Sequence, residues 1–253
     1  VIEVTGISKS FNDKQVLQDI SIKFLEGKTN MIIGESGSGK TVLTKIMVGL
    51  FPPDTGDVFY DGHSFTAMDF DGKKEIRKQI GMLFQGGALF DSLTVEENII
   101  FPLSMFTTQT EAEKRDRAQF CLERVNLPTA GKLYPSELSG GMKKRVGIAR
   151  AISMNPRYLF CDEPNSGLDP RTSILIDNLI RQITEELRIT TIVITHDMNS
   201  VIEIGENVVF IFNGQKWWQG NKSEILHSEN AELNRFVYAS TFMQRVRTSL
   251  KQA

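Results

Sequence analysis

Long apolar runs are missing from this chain of 253 residues. Nowhere do about 18 apolar residues follow one another, so the chain is expected not to cross a bilayer itself. Its first residues lack the basic-then-apolar pattern of a signal peptide, although with Val1 rather than methionine in first place that end says little about targeting. Cysteine is scarce: Cys121 and Cys161 lie far apart without metal-ligand spacing, which points to free thiols in a reducing compartment, the cytoplasm. A dominant charge is absent too, since 29 Lys and Arg stand against 31 Asp and Glu for a net −2. No broad basic field exists to attract nucleic acid, and no nucleic-acid partner is expected. Internal repeats and low-complexity segments are also lacking. The apolar fraction of 40% and charged fraction of 24% are ordinary for a globular protein. The length suits one larger domain or two small ones around an α/β core.

Against that plain background one octet stands out: Gly34, Glu35, Ser36, Gly37, Ser38, Gly39, Lys40 and Thr41. This is the G-x-x-x-x-G-K-[ST] spacing that turns backbone amides toward a row of phosphate oxygens. Thr29 to Ile33 before it is apolar and suited to a buried strand, and Val42, Ile46 and Gly49 to Leu50 continue at helical spacing after it. Lys40 would set its charge against the β and γ phosphates, and Thr41 would offer a hydroxyl to Mg²⁺. The positive end of the following helix dipole adds to the attraction.

The rest of the chain alternates in a way that specifies an α/β fold. Ile2 to Val4 and Ile20 to Phe24 read as short strands of a small antiparallel sheet, with Val58 to Tyr60 as another strand. Asp69 to Lys78 is helix or loop, and Gly81 to Gln85 a strand. From about residue 93 to 152 the pattern is helical, opening on Thr94 and Glu97 at capping-box spacing. Tyr158 to Cys161 and Thr191 to Thr195 are apolar and β-rich, separated by a helix with Ile176, Leu179, Ile183 and Leu187 on one face. Strand, helix and strand in that order predict a parallel sheet. Asn213 and Gly214 mark a hairpin turn, in which Trp217 and Trp218 would point one inward and one outward, and residues 221–253 read as a polar helical extension.

Two further sites carry chemistry. Asp162 and Glu163 follow an apolar strand, where carboxylates suit Mg²⁺ and the polarisation of a water that attacks the γ-phosphorus. Leu138, Ser139, Gly140, Gly141 and Met142 lead into a helix and expose amides as a second anion site. One nucleotide has one γ-phosphate, so two such sites suggest that each chain completes its partner's site in a two-fold dimer around two ATP molecules.

With these motifs in this order, residues 1–220 resemble the nucleotide-binding subunit of the ATP-binding cassette (ABC) family. The resemblance implies a P-loop core with a mainly parallel sheet, an N-terminal antiparallel β subdomain and a helical insert at about 93–152. It implies Phe11 stacking on adenine, Gln85 sensing Mg²⁺ and the attacking water, and Glu163 as general base. Thr41, Gln85 and Asp162 serve Mg²⁺, His196 contacts the γ-phosphate, and Ser139, Gly140 and Gly141 reach the partner's nucleotide. Ser166, Gly167, Leu168 and Asp169 resemble the loop that links two subunits. ATP and Mg²⁺ are the implied cofactors. The signature departs from the common family pattern at Met142, where many members have glutamine. His63 and His227 match nothing in the pattern and read as solvent-facing.

A narrower resemblance rests on Leu83 to Ile99 and Pro135 to Met142: these look like the ATPases of Mla-type systems, which move phospholipid with an MCE-domain partner. It implies an integral permease as partner and a place at the cytoplasmic face of the inner membrane. Ala88, Leu89, Phe90, Phe101, Pro102, Leu103, Met105 and Phe106 form an apolar region that either docks a permease helix or fills the core of the helical insert. Lys143, Lys144 and Arg145 read as a solvated helix face or as phosphate steering, and Arg245, Arg247 and Lys251 as a weak lipid-headgroup signal. Two rival readings stay open: a transporter subunit for amino acids, metals or lipoproteins, and an ABC-type ATPase without a permease.

Overall fold

A computed structural model describes residues 1–239 and 243–245. In chain order its elements are β1 (Ile2–Phe11), β2 (Lys14–Lys23), β3 (Thr29–Ile33), α1 (Lys40–Met47), β4 (Thr55–Tyr60), β5 (His63–Ser64), α2 (Phe70–Lys78) and β6 (Ile80–Leu83). There follow α3 (Val95–Phe106), α4 (Glu111–Arg124), a 3₁₀ turn at Pro135–Glu137, α5 (Gly140–Ile152), β7 (Tyr158–Asp162), α6 (Pro170–Leu187) and β8 (Thr190–Thr195). The last described elements are α7 (Met198–Ile204), β9 (Asn207–Phe212), β10 (Gln215–Gly220), α8 (Glu224–His227) and α9 (Ala231–Val237).

These elements fall into two compact units. The first holds Val1–Leu25, Thr29–Ala67 and the chain from Ile194 on. Its antiparallel sheet runs β2-β1-β4-β5, as the N-terminal alternation predicts, and its inward faces carry Ile2, Val4, Ile7, Leu17, Ile20 and Val58, none above 2% exposed. Beside these, β3 pairs in parallel with β9, and β9 turns back antiparallel into β10. Asn213 (φ 48°) and Gly214 (φ 75°) supply the two left-handed residues that a tight hairpin requires, as that dipeptide predicts. A register shift between Lys216 and Trp218 interrupts strict alternation in β10, leaving Trp217 exposed and Trp218 half-buried.

The second unit holds Glu26–Lys28 and Met68–Val193. In it β6 and β7 pair in parallel, and every residue of β7 is buried, as fits a strand covered on both faces. Asp69 to Lys78 resolves as helix because the Asp69 carboxylate caps it by accepting from the Gly72 amide at 2.8 Å. The Thr94 capping box is present, and Thr110 with Glu113 forms a second one that starts α4. Helices α3, α4 and α5 pack on one another, and α5 also packs on β6. The architecture is the expected mixed α/β one, with an antiparallel N-terminal sheet and parallel pairing beyond it. The expected C-terminal extension consists, among the described residues, of α8, α9 and a further helical stretch at Met243–Arg245; Arg247 and Lys251 lie outside the described residues.

Candidate nucleotide site

The phosphate cradle belongs to the first unit, in the turn from β3 to α1. Gly34 (φ 149°) leaves the strand where an added Cβ would stand 2.2 Å from the Ile211 carbonyl oxygen, so no side chain fits. Gly39 (φ 104°) is the left-handed cap of α1, and a Cβ there would meet Leu17 Cδ2 at 2.6 Å. Between them Gly37 (φ 81°) faces open space while Glu35 and Ser36 are exposed. Lys40, only 7% exposed, donates from Nζ to the carbonyls of Gly34 and Glu35, each at 2.8 Å. The ammonium therefore sits inside the curl of its own loop. Ser38 Oγ is buried with no hydrogen-bond partner among the described residues, a costly arrangement that a polyphosphate oxygen would relieve. A hollow of about 330 Å³ opens between this loop, Lys14–Val16 and the Phe212–Gly214 turn. Buried lysine, orphaned hydroxyl and amide-lined glycines fit a triphosphate.

Phe11 ends β1 in the same unit. It is 39% exposed, meets Phe51 edge-on at 5.6 Å and has the Lys9 ammonium over its ring at 5.4 Å from the centroid. His196, exposed, follows β8 in this unit, next to Asp197, whose carboxylate caps α7. His63 and His227 are exposed, as expected.

The second unit gathers the other candidates. Asp162, 9% exposed, ends β7, and Glu163 follows in the left-handed region at φ 47°. The carbonyl of Glu163 accepts from the Ser166 amide at 3.2 Å. Gln85, exposed, lies just after β6. Ser139 caps α5 by accepting from the Met142 amide at 3.3 Å, so the first-turn amides of Gly140 and Gly141 start the helix. Gly141 is required here, because a Cβ would stand 2.5 Å from Thr172 Cγ2. A Cβ at Gly140 would lie 3.6 Å from Leu168, so the signature glycines and the Ser166 to Asp169 loop are neighbours. Asp169 caps α6 by accepting from Arg171 and Thr172, and its bonds to the Thr172 hydroxyl and amide hold its carboxyl below the usual aspartate range. Asn165 donates to the buried Asp177 carboxylate at 2.9 Å and so ties the same loop to α6.

The basic run is not a solvated face. Lys144 is 6% exposed and donates to the carbonyls of Gln85 and Glu163, while Arg145, half-buried, donates to those of Val125 and Asn126. A sequence signal for Lys144 did exist: it lies three residues after Gly141 and four before Ile148, on the buried face of α5. Arg150 is a second residue that the motif reading passed over, donating to Ala88 at 2.7 Å and Gly87 at 2.9 Å.

The apolar region divides between the two expectations. Leu103 is buried at 2%, but Phe101, Met105 and Phe106 are 40%, 62% and 46% exposed. Phe90 and Phe101 rings meet at 4.7 Å beside a hollow of about 450 Å³ bordered by Met82, Phe84, Pro102 and Arg150. Among the described residues no helix is long and apolar enough to cross a membrane.

Residues 17–166 match the sequence profile of the ABC transporter family. Over 93% of its length the chain is 35% identical to the probable ribonucleotide transport ATP-binding protein of Mycobacterium leprae, spanning 68% of that protein. It is 34% identical to the intermembrane phospholipid transport system ATP-binding protein MlaF of Haemophilus influenzae, over 94% of this chain and 90% of that one. It is also 35% identical to a methionine import ATP-binding protein of Pseudomonas syringae, over 94% and 72%. Among solved structures, a dimeric ATP-binding cassette in a post-hydrolysis state with ADP and Pi aligns with a TM-score of 0.80 at 30% identity, covering 88% of this chain and 99% of that one.

Proposed function

The chain belongs to the ABC transporter family as an ATPase, and from that premise we propose that it drives phospholipid movement through a membrane permease associated with an MCE-domain protein. The observation that carries the cargo reading is the shared length and identity with a phospholipid transport ATPase, together with an exposed aromatic groove suited to an apolar helix. In this reading two copies close around two ATP molecules at the cytoplasmic face of the inner membrane. Phe11 stacks on the base, and residues Gly34 to Thr41 grip the phosphates, with Lys40 neutralising their charge. Oxygen donors of Thr41, Gln85 and Asp162 suit Mg²⁺, a hard cation that screens the phosphate charge when bound. Glu163 accepts the proton of the attacking water, and His196 contacts the γ-phosphate. Ser139, Gly140 and Gly141 meet the partner's nucleotide, and Ser166 to Asp169 link the two copies.

The expected outcome for Glu163→Gln is retained ATP affinity with turnover reduced by about 10²-fold or more, and accumulation of a closed dimer on size exclusion with ATP. Turnover at the normal rate would remove Glu163 from the role of base. For the cargo, the native complex is extracted in mild detergent and its subunits identified by mass spectrometry. A polytopic permease with an MCE protein is the result expected. A permease accompanied by an amino-acid-binding protein would favour the methionine-import relatives instead, and an exclusively soluble set would overturn a transport role.

A further inference from the structure

Two basic residues on one side of α5 bind the loop after β6 and the residue after β7, with a glycine between them packed against the end of β6. Lys144 comes first: its Nζ donates to the Gln85 carbonyl and, at 3.1 Å, to the Glu163 carbonyl. Burial pulls this ammonium below the ordinary lysine value, against the nearby carboxylates of Asp162 and Glu163. A buried cation costs several kcal/mol to desolvate, so its retention asks for a compensating role. One turn on, Gly147 brings the helix against the end of β6, where an added Cβ would stand 2.6 Å from Leu83 Cδ1. Another turn on, Arg150 donates to the carbonyls of Gly87 and Ala88.

The backbone shows what these bonds hold. Glu163 and Ala88 are both non-glycine residues in the left-handed region, each at φ 47°. Such residues cost about 1–2 kcal/mol and persist only where their surroundings over-determine them. Each has its carbonyl clamped by a basic side chain of α5. The helix whose cap is Ser139 therefore joins the main chain of Gln85 to that of Glu163, whose carbonyl also accepts from the Ser166 amide.

We propose that Lys144 is a positioning residue for ATP hydrolysis, holding the main chain of Glu163 and Gln85 in one geometry so that base and water-sensing amide are presented together. This rests on the roles given above to Glu163 and Gln85. An ammonium with three protons on a four-carbon stem reaches both carbonyls at once; the amide of glutamine has two protons on a stem one atom shorter, and methionine has none. Displacement of a catalytic group by about an ångström is enough to cost about 10²-fold in rate, while affinity for the phosphates stays with the cradle.

The test uses the full-length chain with Lys144→Gln, Lys144→Met and Lys144→Arg. Steady-state ATP turnover gives kcat and KM, and titration with a fluorescent ATP analogue gives affinity. Lys144→Gln and Lys144→Met are expected to lose about tenfold or more in kcat with KM and analogue affinity changed by less than about twofold. Lys144→Arg, which keeps a charged donor, is expected to recover kcat to within about threefold of the parent. The proposal is overturned if both neutral variants keep kcat within about twofold, if affinity falls in step with kcat, or if Lys144→Arg is no better than Lys144→Gln. Should one neutral variant fail to fold by circular dichroism, the other decides; failure of both assigns Lys144 to folding and also overturns it. Glu163→Gln run alongside separates the two readings. If it turns over normally, the site assignment fails; if it is inactive while Lys144→Gln is fully active, only the inference on Lys144 fails.

Discussion

The phosphate cradle and the Gln85 loop each follow a strand of parallel pairing, yet they are held in opposite ways. In the cradle the hydrogen bonds of the lysine are close in sequence: Lys40 bonds to carbonyls five and six residues back, and the glycines at 34, 37 and 39 set a path that passes tightly by Ile211 and Leu17. The Gln85 loop is held by side chains 59 to 63 residues away, from Lys144 and Arg150 on α5. A locally built loop keeps its shape wherever its strand and helix form. A strapped loop keeps its shape only while another element stays in place, which makes it a natural part to move when that element moves.

Gly34→Ala strikes the cradle hardest, at its close approach to β9. An added methyl would stand 2.2 Å from the Ile211 carbonyl at φ 149°, so the cradle and the end of β9 must separate. The expected loss is about 2–4 kcal/mol in denaturant unfolding, with ATP-analogue affinity falling by about tenfold or more. Unaltered stability would mean that the turn is not fixed by glycine. Arg150→Met strikes the strapped design more gently, because the apolar stem is kept and only the donors to Gly87 and Ala88 go. A loss of about 1–2 kcal/mol is expected, with faster amide hydrogen exchange confined to about residues 84–90. Exchange unchanged there would show that the loop, like the cradle, holds itself.

The same contrast explains what could be read from sequence. The hairpin at Asn213–Gly214, the Thr94 capping box and the β3-to-α1 turn depend on neighbours in the chain, and each stands where the residues predict. The outward-facing Trp217 was legible only as half of a pair, because the bulge after Lys216 shifts the register of β10. For Lys144 the helical spacing marks a buried position, but its acceptors are main-chain carbonyls, and a carbonyl has no letter in the sequence. The division of the chain followed no composition shift either. Each unit is assembled from separate stretches, and the boundary falls within β8, between Val193 and Ile194. Composition does not divide the apolar region after Gln85 between core and docking surface; the structure buries Leu103 and leaves Phe101, Met105 and Phe106 exposed.

The smallest effect isolates local construction from function. Asp57 accepts hydrogen bonds from the hydroxyls of Ser64 and Thr66 and from the amides of Val58 and Thr66, all within nine residues. Its partial burial would raise the pKa, but these bonds outweigh it and hold the carboxyl below the ordinary value of 3.8. A depressed folded-state pKa means the carboxylate contributes stability above the unfolded value and loses it as pH falls through the folded one. Asp57→Asn is therefore expected to be less stable than the parent at neutral pH, by about 1 kcal/mol at most for a half-exposed group. That gap should narrow as pH falls below about 4, with turnover per folded molecule unchanged at neutral pH. A gap that stays constant from neutral to acid pH would mean that Asp57 contributes through shape alone, and a change in turnover would mean that this turn, local as it is, reaches the nucleotide site.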